Sequence, residues 1–191
     1  MMKKIVFFSV SALFLVTACS ENKKENAAPV QERAGLEELK ADVASLEDSL
    51  KSGKLNMDPS GSTCVKYAET CLKIYELYPS SNEAPVYLDR AHMIFSSCNL
   101  HQRAVVAGDE LIKKYPDYKG RSLVLASLAS AYDMFILPRD KSKVIYYYNL
   151  LLKENPDLPK EDRETYEFRL KYIDLSYDEL IELQQAKRQN S

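Results

Sequence analysis

Leu111-Ile112-Lys113-Lys114-Tyr115-Pro116-Asp117 closes the stretch 104–117, which decides the fold because the chain holds two relatives of it. They end Ile74-Tyr75-Glu76-Leu77-Tyr78-Pro79-Ser80 and Leu151-Leu152-Lys153-Glu154-Asn155-Pro156-Asp157. Five residues before the prolines stand Ile74, Leu111 and Leu151; four before, Tyr75, Ile112 and Leu152; eleven before, Ala68, Val105 and Ile145. In a helix these offsets share one face, so each copy is expected to bury the same stripe. The prolines are 37 and 40 residues apart, a period at which self-similarity marks stacked helical hairpins.

Outward from these copies the chain reads as helices between short breaks. Helices are predicted over 62–78, with Ser62 or Thr63 as cap, and over 84–97, with Pro85 in the first turn. Further helices are predicted over 100–115, 121–135, 142–155 and 160–173. Ser176-Tyr177-Asp178-Glu179 has the Ser-x-x-Glu form of a capping box and opens a last helix to about residue 189. Glycine is scarce at 5 residues and no period-2 run appears, so the class is all-α. The net charge of −2, from 26 basic and 28 acidic residues, offers no nucleic-acid footprint.

The N-terminus is a processing signal. Lys3 and Lys4 precede an apolar run over 5–18, which as helix would rise about 21 Å, short of a bilayer core of roughly 30 Å. Val16-Thr17-Ala18-Cys19 resembles a bacterial lipoprotein box, which implies that Cys19 is lipidated and begins the mature chain. The division is then 1–18 signal peptide, 19–33 lipid-anchored tether and 34–191 helical domain. The tether is polar and is expected to stay disordered. Ser20, after the cysteine, is not the Asp that keeps many such lipoproteins in the inner membrane, so the resemblance implies an outer-membrane anchor facing the periplasm.

The helix over 36–51 carries Leu36, Leu39, Val43, Leu46 and Leu50 at alternating steps of three and four. That seam either packs on the next helix as half of a first hairpin or makes a homo-oligomeric coiled coil. The second arrangement would resemble the periplasmic coordinator of the Tol-Pal system. Leu128-Ala129-Ser130-Ala131-Tyr132 resembles the first-helix core of a tetratricopeptide repeat, and Ala104 matches the small residue of its second helix. Tyr67, Val144, Cys71 and Gly108 depart from that pattern. The resemblance implies a right-handed α-solenoid of about three tetratricopeptide-like hairpins closed by C-terminal capping helices. With Glu83-Ala84-Pro85 and Asp178-Glu179-Leu180, the chain also resembles small repeat-containing lipoproteins of Bacteroidetes-type bacteria.

Chemistry-bearing residues are sparse. His92 and His101 fall on different predicted helices without carboxylate or cysteine at ligand spacing, and no phosphate loop or nucleophile elbow is present. The expectation is a non-catalytic protein without cofactor or metal. It would bind another envelope protein or peptide in a groove lined by Leu88, His92 and Phe95 and by Ala126, Ser130 and Asp133. Competing readings are a nutrient- or glycan-uptake lipoprotein, which would want exposed tryptophans, and an envelope hydrolase. Leu88 and Phe95 also fit a core reading.

The remaining cysteines are Cys64, Cys71 and Cys98. Cys64 and Cys71 are seven residues apart on one helix, about 10.5 Å, beyond the roughly 7 Å limit for a bond. Antiparallel helices turning near Ser81 set Cys64 level with Cys98 and Cys71 level with Ala91. A Cys64–Cys98 disulfide with a buried Cys71 thiol is predicted, against an alternative of three reduced cysteines. Changing Cys19 to Ala should leave the precursor unmodified; metabolic lipid labelling that persists in this variant overturns the anchor.

Overall fold

The computed structural model describes residues 30–52 and 61–189. Among these the chain forms eight α-helices and no strand: α1 (Val30–Lys51), α2 (Ser62–Leu77), α3 (Ala84–Ser97), α4 (His101–Lys114), α5 (Arg121–Met134), α6 (Lys141–Glu154), α7 (Lys160–Lys171) and α8 (Tyr177–Gln189). The all-α class and the element order follow the sequence reading closely.

Two boundaries differ. Helix α1 begins at Val30, inside the segment expected to be tether. In the sequence Pro29 directly precedes it and Glu32 stands in its first turn, both of which favour a helix start. The cap of α2 is Gly61 rather than Ser62 or Thr63, with φ of 66°, a left-handed conformation that glycine adopts without steric cost.

The three proline turns are one structure repeated. Tyr78, Tyr115 and Asn155 end α2, α4 and α6 with φ of −128°, −126° and −124°. Their N–H groups donate to the carbonyls of Ile74, Leu111 and Leu151. A residue before proline is pushed out of the α region, so each helix stops at the same step and reverses.

Consecutive helices pack on one another, most closely α2 with α3, α3 with α4, and α5 with α6. One apolar cluster spans α1 to α4 and a second spans α2 to α7, with Leu72 packed against both. Leu36, Leu39, Leu46 and Leu50 pack around buried Val43 into the first cluster, so the α1 seam is engaged within the chain.

The expected stripe is buried at Ile74, Leu111 and Leu151, at Tyr75 and Ile112, and at Ala68 and Val105. Ile145 departs from it, 38% exposed. Tyr75 of α2 hydrogen-bonds to Glu110 of α4 at 2.5 Å, so this face of α2 is the one that meets α4. On α6 the corresponding face stays partly open at Ile145.

Cys64 and Cys98 form a disulfide across the α2–α3 pair, with Cα atoms 6.4 Å apart. Cys71 is a buried free thiol, and burial pushes its pKa up to about 12. At that value it is a packing group, since the thiolate is the reactive form.

His92 locks α3 to the next two helices. Its Nδ1 lies 2.8 Å from the Ala104 carbonyl oxygen and its Nε2 lies 2.9 Å from Ser127 Oγ. A carbonyl only accepts, so Nδ1 donates to Ala104, while Nε2 pairs with the serine hydroxyl. Helix α4 comes this near only because residue 108 is glycine. A Cβ there would stand 2.9 Å from His92 Nδ1 and 2.9 Å from Leu128 Cδ2. Gly108→Ala should therefore destabilise the fold by about 1–3 kcal/mol, despite alanine's better helix propensity. Urea unfolding measures it, and an unchanged midpoint contradicts the close-approach account.

Candidate partner-binding site

Leu88, His92 and Phe95, expected from their spacing to line a groove, are buried instead. Their exposures are 1%, 1% and 0%. They face inward because α4 packs over α3 and covers that stripe, with His92 engaged on both ring nitrogens. Above Phe95 sits the Arg103 guanidinium, 4.1 Å from the ring centroid. The other histidine, His101, stacks on Phe135 with centroids 4.1 Å apart.

Asp133 is also buried, and its role is structural. Arg169 of α7 grips it bidentately, Nε to Oδ2 at 2.5 Å and Nη2 to Oδ1 at 2.8 Å. Arg139, in the α5–α6 connection, donates from Nε to Oδ1 at 2.6 Å. Arg169 donates further to the carbonyls of Tyr172 and Leu175, at 2.7 and 2.8 Å, which fixes the turn between α7 and α8. One carboxylate thus joins α5, α7 and two connections. A sequence signal existed: Asp133 is the single acid in 121–137, an otherwise apolar and hydroxyl-bearing run after Arg121. Arg169 stands among the many charged residues of 160–171, where no local pattern singles it out.

A second carboxylate does the same for α4, α5 and α6. Asp109 accepts from Tyr132 at 2.9 Å, from Lys143 Nζ at 2.8 Å, and from the Tyr147 hydroxyl. Burial first, and then Asp109, push the hydroxyls of Tyr132 and Tyr147 above their usual pKa, so both remain donors. Burial works against the Lys143 charge, but the hydrogen bonds and charge of Asp109 and Tyr132 together outweigh it and raise that pKa. At the proline turns Arg121 donates to Ile112 O at 2.6 Å and pairs with Glu154 at 2.7 Å.

Of the six residues expected to line the groove, Ala126 and Ser130 alone are not buried. Both are half-buried, and Ser130 stands on the wall of a cleft of about 370 Å³ between α5, α6, α7 and α8. A larger cleft of about 650 Å³ opens between Pro85–Val86 and the Tyr115–Lys119 turn, where the Tyr118 hydroxyl donates to Asp89 at 2.7 Å.

Helices α3 and α5 start 37 residues apart, the spacing of the first two prolines, and each leaves apolar residues outside the packing. Val86 and Met93 of α3 are 38% and 51% exposed; Leu123 and Met134 of α5 are 75% and 36%. These exposed apolar residues, of which Val86 and Leu123 correspond 37 residues apart, form the candidate binding surface with the two clefts beside them.

Among the described residues no group of three or more His, Cys, Asp or Glu side chains is placed to hold a metal ion. None of the described helices is long and apolar enough to cross a membrane. Cys19 and the signal and tether up to residue 29 lie outside the described residues. No family model matches the chain, and no curated protein matches it in sequence.

Asp133→Ala would strand two arginines around an empty position. A loss on the order of 3–5 kcal/mol is expected, read as a lower denaturation midpoint. A midpoint within error of the parent protein would refute the structural role.

Proposed function

We propose that this chain is a membrane-anchored lipoprotein of the cell envelope that acts as a non-catalytic, tetratricopeptide-like scaffold for another envelope protein. The carrying observation is the set of exposed apolar residues on α3 and α5, Val86 and Met93 with Leu123 and Met134, on helices that otherwise bury their apolar faces well. Leu123 remains 75% exposed; side chains of this kind gathered beside clefts mark interaction surfaces. In this reading the hairpins α1–α2, α3–α4 and α5–α6 are successive repeats of a right-handed α-solenoid, and α7–α8 cap it.

Two features support the envelope setting. The Cys64–Cys98 disulfide fits an oxidising compartment. The Val16–Cys19 lipoprotein box supplies an anchor at Cys19, with outer-membrane retention and a periplasmic face following from Ser20.

A photo-crosslinking residue at Met93 or Leu123 in intact cells should yield the same specific adduct, and one at Glu161 of α7 should not. Leu123→Asp should reduce capture at Met93 by at least about tenfold, the effect of a single lost apolar contact of ~1.4 kcal/mol, with the thermal midpoint unchanged. Adducts from Glu161 as strong as those from Met93 and Leu123, or capture indifferent to Leu123→Asp, would sink the scaffold surface.

A further inference from the structure

The α2–α4 and α4–α6 pairs bound the same cleft in successive layers. Seven, four and three residues before their prolines, α2 offers Leu72, Tyr75 and Glu76, and α4 offers Asp109, Ile112 and Lys113. Opposite them stand the residues thirteen, ten and nine before the next proline. These are Arg103, Val106 and Ala107 on α4, and Lys143, Tyr146 and Tyr147 on α6. The first cleft measures about 270 Å³ and the second about 530 Å³. Their charge differs as well. The place of Lys113 is held by Glu76 in the first layer, and Arg121, which lines the second cleft, corresponds to Ala84. We propose that the α4–α6 cleft is a binding site for an oxyanion, a phosphate or carboxylate group carried on a molecule with a flat apolar body. None of Val86, Met93, Leu123 and Met134 lines this cleft, so the site stands or falls separately from the scaffold surface.

The balance of charge is the first support. Lys113, Arg121 and Lys143 line the cleft, with Asp109 as its carboxylate. Asp109 is already engaged by Tyr132, Lys143 and Tyr147. Glu154 offsets Arg121 from the neighbouring turn, so the excess charge rests on Lys113, which is exposed and forms no ion pair among the described residues. The second support is the supply of donors. Arg121 spends Nε and Nη2 on Glu154 and Nη1 on the Ile112 carbonyl, which leaves a further hydrogen on each Nη. Lys143 donates to Asp109 and to the Tyr132 hydroxyl and keeps its remaining hydrogen. Those bonds also hold Arg121 and Lys143 in place, at 14% and 38% side-chain exposure. An arriving anion therefore meets cations that are already ordered.

The third support is the comparison between layers. Stacking does not demand a cation at either place, because the first layer has Glu76 and Ala84 there and α2 still meets α4 through Tyr75 and Glu110. The cations of the second cleft are thus surplus to the repeat. Tyr146 lines the same cleft and is 55% exposed, which offers a ring face on which a flat apolar body can lie. A cleft of this volume lies within the range of small-molecule sites.

The test titrates the full chain at low ionic strength with phenyl phosphate, benzoate and benzyl alcohol, followed by amide NMR shifts. At least one of the anions should bind saturably and shift the amides of Lys113, Arg121 and Lys143, and the neutral alcohol should not. The tighter anion identifies the oxyanion as phosphate or carboxylate. Lys113→Glu, which writes the first layer's residue into the second, should weaken that binding at least about tenfold with the thermal midpoint unchanged. Tyr146→Ala should weaken the aromatic anion at least about threefold and leave inorganic phosphate as it was. Raising the salt to about 1 M should remove most of the binding. No saturable binding of either anion below about 10 mM, shifts from benzyl alcohol as large as those from the anions, or binding indifferent to Lys113→Glu overturns the proposal.

Discussion

Three helices meet on one imidazole. His92 is presented by α3, but its two nitrogens are satisfied by α4 and α5, at 2.8 and 2.9 Å. The contact demands a missing side chain at residue 108, where α4 crosses over the ring. With α3, α4 and α5 fixed, the later layers are placed by carboxylates of the same kind of use. Asp109 draws in Tyr132, Lys143 and Tyr147, and Asp133 draws in Arg139 and Arg169. Apolar burial drives the stacking, and these few polar groups set which layer sits at which height.

Such buried polar ties are directional, and that is their use in a repeated fold. Helices of similar length and pattern can slide by a turn against one another at little apolar cost. A ring nitrogen aimed at one carbonyl, or a guanidinium matched to one carboxylate, cannot follow such a slide without leaving a desolvated group unpaired. The apolar clusters, which overlap at Leu72, give the stack its cohesion; His92, Asp109 and Asp133 give it register.

The helices were legible because local rules govern them. Proline spacing, the Ser176–Glu179 box and the apolar period set element limits to within a residue or two at most positions. The levelling of Cys64 with Cys98 needed only antiparallel geometry about Ser81, and the structure joins that pair. What was not legible depended on neighbours. Leu88, His92 and Phe95 have the spacing of a face, and spacing does not say whether that face meets solvent or α4. Ile145 keeps the repeat's pattern, yet it stays 38% exposed where its counterparts Ala68 and Val105 are buried. Asp133 and Arg169 lie 36 residues apart, and pairing at that range is invisible to any local pattern. The start of α1 at Val30 was masked by a polar composition that suits tether and exposed helix alike.

The disulfide has a mechanical meaning as well as a chemical one. It joins the first turn of α2 to the cap of α3, with 34 residues of separation between its cysteines. Those residues, drawn out straight, would span about 115 Å, and the covalent bond withholds that length from any pull applied at the chain ends. Tension entering from the N-terminal side can strip α1 from α2 but then meets a closed loop. Tension from the C-terminal side meets the same loop after the later helices have peeled away. The α2–α3 pair is therefore the non-extensible link of the chain, and α1 is the segment that yields first when the N-terminus is the point of attachment.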